Sequence, residues 1–384
     1  MRLEQARVLA PVGYPWDFCG PRQSRASIAR RKFLPFNRVR DGWDGFTIFN
    51  PLEVVRSNLI HAFNRIPLND SPFVIGFESH LPRLFSADAA RYERHLYRRL
   101  LSRDCRKIVA ISKFAKDNYL RALAEVRLST EERAVLEDKI DVRYPSIVSV
   151  DLPPPATDAP DPWVITFVGN HFGRKGGCVA VRIAKIALDT GLPIKVKIVS
   201  SLQSGGPIWT DPSDEKFFQP YYDLLALPNV EHLSGLKNAD VLRLLGESHF
   251  SILTTFADTF GFSVIESMAR GTPPICTGQS ALPEFVVDGE NGIVIPPALT
   301  PGQAHWGPPY HQRDDEGFVS LYRDEIERMA AQCIEKLVAV MNDLPKYRAL
   351  RNAAYLTART VFDADVAHRY WDRVYDAALN EPGH

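Results

Sequence analysis

From Trp163 onward the chain alternates short apolar runs with helix-length amphipathic segments, and no other feature restricts its fold as much. Strands are expected over 163–168, 194–200, 230–233, 250–255 and 274–277, with helices over 177–190, 214–227, 238–247 and 262–270 between them. A strand that must pass through a helix before the next strand returns parallel to its neighbour, so this alternation predicts a doubly wound parallel α/β sheet. A loop rich in Pro, Gly and His over 298–317 separates this region from helices expected over 318–341, 346–360 and 365–379. The first part alternates less cleanly. Strands are expected over 7–12, 73–77 and 107–111, and helical patterns over 52–63 and 89–103. Ser112 is placed to cap a helix running through 124, and Ser129 with Glu132 three residues later has the form of a capping box. The densest proline run, 146–163, has neither period and predicts an extended linker, which puts a domain boundary near residue 150.

With 384 residues and 45% apolar composition, each of two domains can bury its own core. No apolar run reaches the eighteen or so residues of a membrane span, and the start of the chain lacks the pattern of a secretory leader, so a cytoplasmic address is expected. The five cysteines are scattered without a metal or redox spacing. A formal net charge of zero hides a division: residues 1–150 hold 26 Lys+Arg against 17 Asp+Glu, and the remainder holds 20 against 29. Between 21 and 40 lie Arg22, Arg25, Arg30, Arg31, Lys32, Arg38 and Arg40 without an acidic residue, as suits an anionic membrane surface or a phosphate-bearing partner; a solvated helix face is the plainer alternative.

In an open parallel sheet, ligands bind beyond the carboxyl ends of the strands. Two such junctions carry chemistry. In FVGNHFGRKGG, the strand ends at Gly169, Arg174 and Lys175 follow, and paired glycines open the next helix, so the backbone can come close to a ligand while two cations neutralise a diphosphate. The spacing matches neither a Walker loop nor a dinucleotide fingerprint. In DTFGFSVIE, Asp258 sits in the loop and Glu266 one turn into the helix, flanking the backbone of Gly261, Phe262 and Ser263. Carboxylates in pairs suit sugar hydroxyls, although a capping Asp and a solvated Glu would look the same in isolation.

The run DTFGFSVIESMARGTPPICTGQSALPEFVVDGENG resembles the signature of retaining glycosyltransferases of family 4, the glycosyl transferases group 1, over nearly all of 163–297. The resemblance implies a GT-B fold, two Rossmann-like domains with a cleft between them. It implies that residues 1–150, joined by a terminal helix over 365–384, form the acceptor side, and that 151–364 bind a nucleotide-sugar donor. Glu266 would hold the ribose and Asp258 would approach the donor sugar. Amides of Gly261, Phe262 and Ser263 would meet sugar and phosphate, and Lys175 with Arg174 the diphosphate. Two departures stand out: Asn170 follows the strand-end glycine where the family commonly has arginine, and Asp258 replaces the usual glutamate. In the first domain, FVIGFESHLPRL places His80 where the family has a histidine beside the donor sugar, and Gly20, Arg22 and Arg25 are acceptor-side candidates.

The activity so implied is hexosyl transfer from a nucleoside-diphosphate sugar to an acceptor hydroxyl, in polysaccharide or glycolipid synthesis. The expected partners are the donor, a glycan or lipid-linked acceptor and an anionic membrane surface, with no nucleic acid, no cofactor and no metal. The same fold also serves epimerases, hydrolases and binding proteins without transfer activity. Asp363-Ala-Asp365 has a metal-site spacing but precedes a helix and is expected to cap it, and His305 and His311 are poorly spaced for a metal.

Overall fold

The computed structural model describes residues 2–13, 16–34, 36, 40, 43–84, 91–151, 160–299, 306 and 310–380. They divide into two compact units, Met1–Ile147 with Phe362–His384, and Val148–Val361. The centre of the predicted linker, 152–159, lies outside the described residues, as do Arg38 and His305.

The first unit is built on strands β1 (Arg7–Pro11), β2 (Ser27–Arg31), β3 (Leu59–Phe63), β4 (Phe73–Phe77), β5 (Cys105–Ala110) and β6 (Ile140–Val142). They form a parallel sheet in the order β2-β1-β3-β4-β5-β6. Helices α1 (Glu93–Leu101), α2 (Lys113–Glu125) and α3 (Thr130–Lys139) cross between its later strands. Ser112 caps α2 through the Ala115 amide, and both arms of the Ser129–Glu132 capping box are present on α3. Residues 33–34, 46–49 and 66–67 add a small three-stranded sheet.

One helix expected from the sequence is a strand. Of 52–63, only Pro51–Val55 is helical, and Leu59–Phe63 is β3, buried at all five positions in the middle of the sheet. A short apolar run bounded by polar residues has no period that separates a doubly covered strand from a buried helix. The basic stretch is likewise no helix face: Ser27–Arg31 is the edge strand β2. Acidic residues from elsewhere meet its cations, with Arg25 on Asp372 and Glu4, Arg30 on Asp17 and Arg31 on Glu53.

The second unit has strands β7 (Trp163–Val168), β8 (Ile194–Val199), β9 (Val230–Leu233), β10 (Phe250–Leu253), β11 (Pro274–Thr277) and β12 (Ile293–Ile295), all parallel, in the order β9-β8-β7-β10-β11-β12. Helices α4 (Gly177–Thr190), α5 (Asn238–Gly246) and α6 (Phe262–Met268) link them, and α7 (Glu316–Met341) and α8 (Leu344–Val361) complete the unit. The helix expected over 214–227 is broken into 3-10 and α segments at Gln219 and Pro220, where proline removes a donor. The last helix, α9 (Ala364–Asn380), returns to the first unit, burying Trp371 and Tyr375 against Val8, Leu59, Val74 and Val109. Asp363 caps α9 through the Asp365 and Val366 amides. Among the described residues no helix is long and apolar enough to cross a membrane.

Candidate functional site

In the second sheet the chain leaves β7 towards β8 on one side and later comes back to β10 on the other. The loops after β7 and β10 therefore part at a topological switch point, where open α/β sheets hold their ligands. Both loops enter their helices through a left-handed glycine, Gly176 and Gly261, each with φ +87°, and neither helix has a side-chain N-cap.

The two loops are tied together. The Arg174 carbonyl accepts from the Phe256 amide at 2.8 Å and the Thr255 hydroxyl at 3.0 Å, while its guanidinium donates to the Ala257 carbonyl at 2.7 Å and His171 Nδ1 at 3.1 Å. Burial and the charges of Arg174 and Lys175 push the His171 pKa down, so the ring stays neutral and accepts that bond. Lys175 Nζ donates to Asp258 Oδ2 at 2.9 Å, and the Thr259 amide holds the other oxygen at 2.9 Å. Burial works to raise the Asp258 carboxyl, but the Lys175 and Arg174 charges outweigh it and hold the group below its usual range. The structure thus brings Arg174, Lys175 and Asp258 into one charged cluster, with Arg174 spending part of its fork inside the protein.

Glu266 is the contrasting carboxylate. It is 8% exposed on α6, and its side chain makes no hydrogen bond or ion pair among the described residues. Burial pushes its pKa up to about 7 against the pull of Arg270 and Lys175. Its carboxylate oxygens are not among the fully buried polar atoms that lack a partner, so they keep access to the surface. Ligand hydroxyls could satisfy them.

The glycines serve the protein's own packing. A Cβ at Gly176 would lie 2.3 Å from the Thr254 carbonyl oxygen of the loop after β10, and one at Gly177 would lie 2.2 Å from the Phe172 ring of its own loop, so Gly176 lets the two loops touch and Gly177 lets the first fold back on α4. Gly169 leaves room for the Lys175 side chain, and Gly261 packs against Leu282. Phe262 and Ser263 open α6, with the Phe262 ring 5.3 Å from that of Phe260.

Sequence reasoning missed Asp211. This fully buried carboxylate accepts from the Gly205 amide at 3.3 Å and the Tyr322 hydroxyl at 3.2 Å, and a Cβ on Gly173 would come within 2.6 Å of it. Burial pushes it up to about 7, with Arg174 and Arg313 pulling the other way. It backs the cationic loop from a segment 37 residues downstream of Arg174, where no local pattern marks it.

In the first unit, His80 follows β4, its Nδ1 2.9 Å from the Ser79 hydroxyl, and burial followed by the Arg83 charge pushes its pKa down. Gly20 packs beneath the Trp16 indole, where a Cβ would approach to 2.5 Å. Arg25 gives its backbone amide and Nε to Asp372 on α9, and Arg22 lies exposed beside it.

Residues 153–306 match the family described as glycosyl transferases group 1. A capsular polysaccharide biosynthesis glycosyltransferase, CapM, of Staphylococcus aureus is 24% identical over 51% of this chain and 47% of its own length. An MMP alpha-(1->4)-mannosyltransferase of Mycolicibacterium hassiacum is 28% identical over 27% of this chain and 24% of its own. The chain therefore spans about half, or less, of the curated relatives it matches. Among solved structures, a glycosyltransferase from Rickettsia africae aligns over 98% of this chain and 99% of its own at TM-score 0.63 and 14% identity. The Anabaena protein HepE, crystallised with UDP, aligns over 97% and 100% at TM-score 0.60 and 14% identity. With that likeness across both units and that match in the second, the chain has the GT-B fold, and residues 153–306 of its second unit are similar to glycosyl transferases group 1.

Proposed function

We propose that this protein transfers a sugar from a nucleoside-diphosphate donor to an acceptor hydroxyl, with retention at the sugar carbon. The observation that carries the reading is the switch-point cluster: a lysine held by an aspartate beside a buried glutamate that lacks a donor. Lys175 neutralises the diphosphate, Glu266 accepts from the ribose hydroxyls, Asp258 contacts the donor sugar and the amides of Gly261, Phe262 and Ser263 line the sugar and phosphate. The bond from the anomeric carbon to the phosphate oxygen breaks as the acceptor oxygen bonds to the same carbon, and the acceptor proton passes to the departing phosphate. Charge grows on the diphosphate in that step, so a fixed cation there stabilises the transition state. His80 is given a part in the chemistry by the family resemblance alone.

HepE was crystallised with UDP, which makes UDP-sugars the first donors to test. CapM is named for capsular polysaccharide biosynthesis, which supports a glycan acceptor. The ion pairs of Arg25, Arg30 and Arg31 lower the free charge of 21–40 and favour such an acceptor over docking at an anionic membrane.

A donor screen by thermal shift, followed by product analysis, tests the proposal. Lys175→Ala should weaken UDP and donor together by about 1.5–3 kcal/mol, the usual worth of a charge-assisted contact. His80→Ala should spare UDP affinity and lower turnover at least about tenfold. UDP affinity untouched by Lys175→Ala, or nucleotide binding with no transfer to any acceptor, would remove the proposal.

A further inference from the structure

At the amino ends of β5 and β6, the end of the first sheet away from the loop that carries His80, a cavity of about 470 Å³ opens between the sheet edge and α9. Five cations line it: Arg103, Arg106 and Lys107 at the start of β5, Lys139 before β6, and Arg373 on α9. Two carboxylates, Asp138 and Asp141, leave an excess of three positive charges.

Two of these groups already have work. Asp141 accepts from the Tyr370 hydroxyl at 3.0 Å and the Val142 amide at 2.8 Å. Lys139 Nζ donates to the carbonyls of Leu100, Leu101 and Ser102, closing the carboxyl end of α1. Lys107 and Arg373 differ: neither side chain makes a hydrogen bond or ion pair among the described residues, and they come from separate walls, one from the sheet and one from α9. Like charges gathered at a concave surface repel at a cost that a bound anion reverses. Val374, Ala377 and Ala378 give the cavity an apolar side. Its volume falls in the range of small-ligand sites.

We propose that this cavity is a second ligand site, for a phosphate ester, with Lys107 and Arg373 as its principal contacts. A phosphate group presents several acceptor oxygens at once and can engage an ammonium and a guanidinium together. The apolar side takes the carbon part of the ester. The site lies at the amino ends of its strands, so it is separate from the proposed transfer chemistry and does not depend on that assignment.

Titration calorimetry of the full chain at low ionic strength with glucose 1-phosphate tests the site, with glucose as the uncharged control and UDP present at saturation to occupy the donor site. A Lys107→Glu, Arg373→Glu double variant should bind glucose 1-phosphate at least about tenfold more weakly, the loss expected for a charge-assisted contact, with UDP affinity unchanged. A second arm uses a glycerol phosphate oligomer: tighter binding by the oligomer assigns the site to a phosphate-bearing glycan, and binding of glucose 1-phosphate alone assigns it to a soluble metabolite. Absence of saturable binding to either probe, or equal affinity in wild type and a folded double variant, overturns the proposal. Lys107→Gln with Arg373→Gln guards against a charge reversal that merely unfolds the protein and should show the same loss.

Discussion

Glu266 and Asp258 stand on the same loop and helix, yet their surroundings drive them in opposite directions. Asp258 has Lys175 at 2.9 Å, while Glu266 has burial and no donor. A carboxyl raised from its ordinary 4.5 to about 7 keeps its proton in the folded state over a range where the unfolded chain has lost it. Its stabilising contribution is complete below the unfolded value and is lost as pH rises through about 7. Glu266→Gln should therefore raise the melting temperature at pH 8 relative to wild type and change it little at pH 4.5, while donor affinity falls at pH 8, where the wild-type carboxyl is ionised, and changes little at pH 4.5. In the wild type, UDP affinity should rise with pH through about 7 as Glu266 ionises and becomes a better acceptor for ribose hydroxyls. Melting scans and UDP titrations across that range check both; a variant that binds UDP normally at pH 8 would return Glu266 to an ordinary helix position. Residue types and spacing showed these carboxylates in the sequence. Their opposite titration was not visible there, because it depends on which neighbours the fold brings up, and Asp211 stayed hidden for the same reason.

Among elements, the strand-to-helix junctions of the second unit were the most legible, since β7, α4, β9 and β11 each lie between clear turn signals. β3 was the least legible, because a strand covered on both faces loses the alternation that would identify it. The glycines at helix ends were easy to find and harder to interpret. Gly176 and Gly191 begin and end α4, both left-handed, but only Gly176 has a backbone oxygen where its Cβ would go. Gly191→Ala should cost only the conformational term, about 1–2 kcal/mol, with UDP affinity intact. Gly176→Ala adds a 2.3 Å collision with the Thr254 carbonyl and should push the loops after β7 and β10 apart. It should lower the melting temperature by more than Gly191→Ala and weaken UDP binding as well. Equal behaviour of the two variants, read by scanning calorimetry and UDP titration, would show that the loop contact contributes nothing.

For the whole molecule, the sequence indicated two sheets and a boundary but could not show which unit owns the last helix; that came from a family resemblance. The structure answers through packing, since Trp371 and Tyr375 of α9 sit in the core of the first unit, and the Tyr375 hydroxyl lies 2.6 Å from His61 Nδ1. Counted as it folds, that unit holds 28 Lys+Arg against 22 Asp+Glu, because α9 returns acids such as Asp372 to the basic first part. Deleting 365–384 removes two large buried aromatics, each worth about 3–5 kcal/mol, from a unit whose total stability is of the order of 5–15 kcal/mol. The first unit should then fail to fold while the second retains a cooperative melting transition, and limited proteolysis should leave a fragment near 148–361. A truncated chain that melts as one unit at the wild-type temperature would contradict this. The same route of the chain has a covalent meaning. It leaves the first unit at Ile147 and re-enters at Phe362, and the Ile147 amide donates to the Phe362 carbonyl at 2.8 Å. The second unit is thus an insertion within an interrupted first one, and its two stems emerge side by side. A few glycines joining Ile147 to Phe362 would span that gap, so the first unit can be excised as a continuous polypeptide and its ligands measured with the second gone.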